Sequence, residues 1–200
     1  HKGCNITDTI HYNREKDFKP AIAVAKDADV IIFVGGISPR LEGEALQVSI
    51  DGFKGGDKTN LDLPAVQTAL LKELKKTGKP VILVLMNGSA LSINWEHENI
   101  DGIVEAWYGG EAAGKAIADV LFGDYNPSGR LPVTFYKSID DIPAFDDYAM
   151  KGKTYRYYEN PVLYPFGYGL SYTKFVYSNL KLSSEVLKEK IQITATVKNT

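Results

Sequence analysis

Cysteine is nearly missing: Cys4 is the only one in 200 residues, so no internal bridge can form and folding must rest on packing. Histidine is scarce too, and His1, His11 and His97 stand at no metal-ligand spacing, so no metal site is expected. Neither sign of charge prevails. With 23 Lys+Arg against 25 Asp+Glu the net charge is -2, which argues against a nucleic-acid face built on phosphate contacts. No apolar run approaches the ~18 residues of a membrane helix. Gly-x-Gly-x-x-Gly is absent, which leaves a doubly wound nucleotide- or flavin-binding domain without its phosphate loop and no cofactor expected. An initiator Met and a signal-peptide pattern are lacking as well, and the final alternation from Ile191 to Val197 has no closing partner. Both ends therefore read as boundaries within a longer protein.

What is present is ordinary globular material, 44% hydrophobic, 24% charged and 11% aromatic. That suffices for a sizeable core in one domain, or one domain and part of a second. Phe18 to Asp27 has helical spacing at Phe18, Ile22 and Ala25, with Pro20 tolerable in the first turn. Val30 to Val34 is apolar on both faces, as a parallel strand covered by helices on each side would be. Pro64 to Thr77 reads as a helix with Val66, Leu70 and Leu74 on one face and Gly78 just past its end. Val81 to Leu85 is a second buried strand, and Ile103 to Trp107 a third. Gly109-Gly110 then leads into a helix from Glu111 to Leu121.

Strand and helix alternating over short connections are the sequence form of βαβ units. The expected fold is α/β, a three-layer α/β/α sandwich with a mostly parallel sheet. Leu131 to Phe135 is a brief strand candidate, and residues 136 to 172 are aromatic-rich and irregular. Alternation after Lys174 suggests the truncated start of a β-sandwich, giving domains 1–173 and 174–200.

The stretch from Val30 to Asp57 carries the chemistry. Its strand empties into Gly35-Gly36 and a loop with Glu42-Gly43-Glu44, which closes on Gly55-Gly56-Asp57-Lys58. Carboxylates at the carboxyl end of a buried strand sit where open α/β sheets place their ligand sites. Asp57-Lys58 reads as a structural ion pair ahead of a substrate contact, and Trp107 and Tyr108 as core ahead of a sugar platform.

Several blocks carry a family resemblance: Glu42-Gly43-Glu44; Gly56-Asp57-Lys58 with Leu61-Asp62-Leu63-Pro64 and Gln67; Trp107-Tyr108-Gly109-Gly110-Glu111; Phe122 to Pro132; Thr154 to Tyr157; and Leu163 to Tyr172. In this order they resemble the second half of a family 3 glycoside hydrolase, of the β-glucosidase and β-xylosidase group. The resemblance implies an N-terminal barrel domain of the same parent chain that supplies an Asp nucleophile. It implies that this α/β domain supplies the general acid/base Glu on a loop, and that a fibronectin-III-like domain begins after Lys174. Glu44 aligns with the acid, with Glu42 as the alternative, and the Asp-Arg of the family is Asp57-Lys58. The parent would be an exo-acting retaining β-glycosidase, periplasmic or secreted, acting on oligosaccharide or aryl β-glycoside substrates. The competing reading is a non-catalytic carbohydrate-binding or structural module of an inactive member. On either reading the Tyr-rich 155–172 segment is expected to pack between domains.

Overall fold

The computed structural model describes residues 14–42, 49–55, 57–144, 146–186 and 189–200. The chain divides into two compact units, the first running to Gly114 and resuming over Leu131–Tyr168, the second comprising Lys115–Arg130 and Gly169–Thr200. Helices α1 (Arg14–Asp17) and α2 (Lys19–Lys26) precede strand β1 (Ile31–Gly36), and α3 (Pro39–Glu42) follows it. Three two-residue strands come next: β2 (Ser49–Ile50), β3 (Phe53–Lys54) and β4 (Asp57–Lys58). Then come α4 (Ala65–Lys75), β5 (Val81–Met86), α5 (Asn94–Asn99), β6 (Gly102–Glu105), α6 (Ala113–Leu121) and α7 (Thr154–Tyr157). The chain ends in β7 (Phe175–Leu182) and β8 (Ile193–Asn199).

The first unit is organised by a parallel sheet of order β1-β5-β6, flanked by helices as the α/β sandwich reading requires. Because the side chains of a strand alternate, one face carries the rows Phe33–Leu83–Ile103 and Gly35–Leu85–Glu105. That face meets α4, whose Val66, Ala69, Leu70, Leu71 and Leu74 are all buried. Each such leucine contributes about 1.5–3 kcal/mol relative to exposure. Pro64 is the N-cap residue with φ -47° and not the first helical residue, while Gly78 (φ 75°) stops the chain in the left-handed region as expected.

The other face departs from expectation. Val84 on the central strand is fully buried, but its register partner Val34 on β1 is 63% exposed, and Ile32, which pairs with Ile82, is 45% exposed. Among the described residues β1 is therefore an edge strand covered on one face only. The stretch around Glu96 folds as α5, with Glu96 buried and accepting from Thr68 Oγ1 at 2.5 Å. Leu131 to Phe135 forms no regular strand. Instead, Phe135 bridges Tyr164, and Leu131 exchanges backbone hydrogen bonds with Tyr168 and Gly167.

In the second unit Asn126 ties the turn after α6 to the 171–173 segment. Its Oδ1 accepts from Ser171 Oγ (2.9 Å) and Tyr172 N–H (2.8 Å), and its Nδ2 donates to Thr173 Oγ1 (3.2 Å). β7 and β8 form an antiparallel hairpin with an irregularity after Ser178, where Asn179 takes φ 54°.

Candidate active site

Because β1, β5 and β6 are parallel, the segments that leave them emerge at one edge of the sheet. Ile37 and α3 leave β1, Asn87-Gly88-Ser89 leaves β5, and Trp107-Tyr108 follows β6. Ser38 Oγ accepts from Leu41 N–H (3.2 Å) and starts the short helix that delivers Glu42. Glu42 Oε1 lies 3.5 Å from Ser89 Oγ. Glu44 and the residues around it, 43–48, lie outside the described residues.

The small antiparallel sheet β2-β3-β4 brings a cation to the same place. Asp51-Gly52 is a two-residue turn with Gly52 at φ 86°, and it pairs Ile50 with Phe53. Phe53 is buried in the core and anchors the sheet. At its far end Lys58 Nζ donates to Ser89 Oγ at 2.6 Å and to Ala90 O at 3.4 Å. This corrects the expected Asp57–Lys58 ion pair: among the described residues no ion pair joins the two, and Asp57 faces solvent. Neighbouring side chains on a strand point to opposite faces, so one turned inward and the other out. Burial lowers the Lys58 pKa, and the nearby Glu42 carboxylate works against that shift.

Tyr108 closes the third side. Its hydroxyl donates to Ile37 O at 2.6 Å, across from β6 to the exit of β1. Burial, followed by the Glu42 carboxylate, raises its pKa well above the ordinary tyrosine value. Gly88 makes room for this arrangement, since a Cβ there would stand 2.8 Å from the Tyr108 ring and 3.6 Å from Glu42 Oε1.

A second carboxylate sits behind this cluster. Glu105 ends β6 on the core-facing row, where burial pushes its pKa from 4.5 to about 7. Its Oε1 accepts from Trp107 N–H at 3.2 Å. Trp107 has a positive φ of 53°, an outlier for a bulky residue that costs roughly 1–3 kcal/mol. Trp107 packs edge-on against Phe135 at 6.1 Å and belongs to the core, as expected, but it also lines an open cleft of about 460 Å³ with Gly88, Ser89, Ala90, Pro132 and Val133. Ser89 and Glu105 were not among the sequence-derived candidates; Tyr108 was expected in the core ahead of a sugar platform, and it is 40% exposed. The one signal for Glu105 was a charge inside an otherwise apolar strand.

With this geometry in view, similarity to known proteins decides the family. Residues 4–172 match the glycosyl hydrolase family 3 C-terminal domain. The chain belongs to glycoside hydrolase family 3. It is 53% identical over 168 residues to a xylan 1,4-beta-xylosidase of Xylanibacter ruminicola, covering 84% of this chain and 19% of that protein. It is 42% identical over 192 residues to a periplasmic beta-glucosidase of Salmonella typhimurium, covering 90% of this chain and 24% of that one. The structure of a family 3 beta-glucosidase from Bifidobacterium adolescentis superimposes with a TM-score of 0.78 at 30% identity, covering all of this chain (100%) and 32% of that one. The chain thus spans about a fifth to a quarter of the curated family 3 relatives it matches (19% and 24%).

Proposed function

We propose that this chain is the acid/base-bearing part of an exo-acting retaining β-glycosidase that removes terminal β-D-glucosyl or β-D-xylosyl residues. The observation that carries this reading is the convergence of the Glu42 loop, Lys58 and Ser89 at the carboxyl edge of the parallel sheet, in a family 3 chain. In such a reaction a carboxylate attacks the anomeric carbon while a carboxylic acid protonates the departing glycosidic oxygen. The conjugate base of that acid then takes a proton from the water that releases the sugar. The two carboxyls must lie about 5–5.5 Å apart for this double displacement. The attacking Asp is assigned to an N-terminal barrel domain of the parent, outside these residues, so the isolated chain would not turn over substrate.

Glu44 is assigned as the general acid/base, with Glu42 as the alternative. What favours this order is that the Glu42 carboxylate already meets the Ser89 hydroxyl and lies close to the Lys58 ammonium. A carboxylate so occupied is suited to anchoring the loop. Lys58 and Ser89 then hold the loop from beneath, the part that Arg would play with a bidentate fork in the Asp-Arg pattern.

The exposed aromatic rings of the 155–172 segment, Tyr155, Phe166 and Tyr172 among them, are assigned to packing against another domain of the parent. The hairpin β7–β8 is assigned as the start of a fibronectin-III-like domain. A periplasmic or secreted location is assigned from the periplasmic relative. The test of the whole reading is hydrolysis of aryl β-glucosides and aryl β-xylosides by the intact protein. Absence of both activities would favour a carbohydrate-binding module without catalysis.

A further inference from the structure

The cleft beside Ser89 has two walls, and one half-buried carboxylate, that of Glu105, reaches both. On one side Glu105 Oε1 accepts the Trp107 N–H, which holds that residue in its left-handed conformation. On the other, Glu105 Oε2 stands 3.4 Å from Asn87 Nδ2. Asn87 is fully buried, and the same Nδ2 donates to Ser89 O at 2.8 Å, fixing the opposite wall. Asn87 Oδ1 is buried with no hydrogen-bond partner among the described residues. An orphaned buried acceptor beside a carboxyl group needs a reason, because such an atom ordinarily finds a donor.

We propose that Glu105 is a positioning residue for this cleft: ionised, it holds Trp107 and Ser89 at their observed separation, and protonated, it releases them. A carboxylate receives from both Trp107 N–H and Asn87 Nδ2, and charge-assisted bonds of this kind are about twice as strong as neutral ones. A carboxylic acid instead has a proton to give, and the orphaned Asn87 Oδ1 is the acceptor it lacks. Rotation of the Asn87 amide presents Oδ1 to the Glu105 O–H and withdraws Nδ2 from Ser89 O. One proton taken up thereby loosens both walls. The neighbouring elements bring Glu42 on α3, Lys58 on β4 and Tyr108 after β6 to the far side of the Gly88–Ser89 turn. The influences on Glu105 itself are burial, Trp107 N–H and Asn87, with no charged partner among the described residues, and burial raises its pKa to about 7.

The role in catalysis rests on the glycosidase reading; the coupling between Glu105 and Trp107 does not. The experiment is fluorine NMR of the intact protein labelled with fluorotryptophan, the Trp107 resonance being assigned by its loss in Trp107→Phe. In the wild type this resonance moves across neutral pH with a midpoint near 7. In Glu105→Gln, whose amide mimics the protonated acid, it stays at the low-pH position at every pH. A wild-type resonance that does not titrate across neutral pH, or one that titrates equally in Glu105→Gln, overturns the proposal, and the first outcome requires no variant to fold. Where aryl-glycoside hydrolysis is present, Glu105→Gln raises KM roughly five-fold above neutral pH with kcat nearly unchanged, matching the loss of one hydrogen bond. An equal fall of kcat at all pH values would contradict positioning. Absence of hydrolysis in the wild type sinks the glycosidase reading and leaves the fluorine titration as the deciding result.

Discussion

Gln67 clamps Gly36 from both sides of its peptide: Oε1 accepts the Gly36 N–H at 2.8 Å and Nε2 donates to Gly36 O at 2.7 Å. A side-chain amide on α4 thus does for the last residue of an edge strand what a neighbouring strand would do. Gly36 itself cannot carry a side chain, since φ is 128° and a Cβ would strike the backbone of Met86. Gln67→Leu removes both hydrogen bonds and is expected to cost about 2 kcal/mol in urea unfolding. Gln67→Glu keeps the acceptor but sets a carboxylate against Gly36 O, so its loss grows once the carboxyl ionises. Indifference of stability to either change would refute the clamp.

Lys58 should matter to rate more than to folding. Lys58→Met leaves Ser89 and Glu42 without their ammonium, and a roughly tenfold fall in kcat of the intact protein is expected, the equivalent of one charged hydrogen bond. Lys58→Arg restores two donors and should recover most of it. If Met and Arg variants behaved alike, the cation would have no part in holding the loop.

Glu105 gives a stability signature of definite sign. Its folded pKa of about 7 lies above the ordinary 4.5, so the folded state holds this proton more tightly than the unfolded one. No cost is present below 4.5; it grows as pH rises and is complete above 7, reaching at most about 3 kcal/mol. Glu105→Gln should therefore be more stable than wild type above neutral pH, with the gap closing in acid. Urea midpoints measured across pH check this, and a gap that widened in acid would reverse the assignment. Such a cost is tolerable where a strained residue at a functional site needs holding.

Asp101 works in the opposite direction. It accepts from Val81 N–H and Lys75 Nζ, both at 2.8 Å, at the entrance to β5. The Lys75 hydrogen bond comes first among the causes that lower its pKa, with the Val81 N–H second. A depressed carboxylate stabilises above its unfolded pKa and loses that contribution as pH falls through the folded one. Asp101→Asn should flatten the acid limb of the stability profile. Because the pair is exposed, the effect in high salt should be small.

The sheet was legible because its strands are long, apolar and bounded by turn residues: Val81 to Met86 and the buried face of α4 differ from expectation by a residue at most. The β2-β3-β4 sheet was not read, although Asp51-Gly52 is a hairpin signal, because two-residue strands leave no alternation to detect. The uncovered face of β1 escaped for another reason. Ile32 and Val34 are apolar, and a sequence cannot say whether their cover lies within the same residues. At the site, local pattern drew attention to the Glu42–Glu44 loop but gave no sign that Lys58 meets Ser89, 31 positions away. Family resemblance supplied the chemistry that local pattern left open.

The most direct test of the central assignment compares Glu44→Gln and Glu42→Gln in the intact protein across aryl β-glycosides of graded leaving-group ability. The account predicts that Glu44→Gln loses about 10²- to 10⁴-fold on poor leaving groups, which need the proton, and far less on good ones, while Glu42→Gln loses similarly modest amounts on all. Equal, small losses for Glu44→Gln on every substrate would contradict it, and the graded loss appearing in Glu42→Gln would move the acid to Glu42.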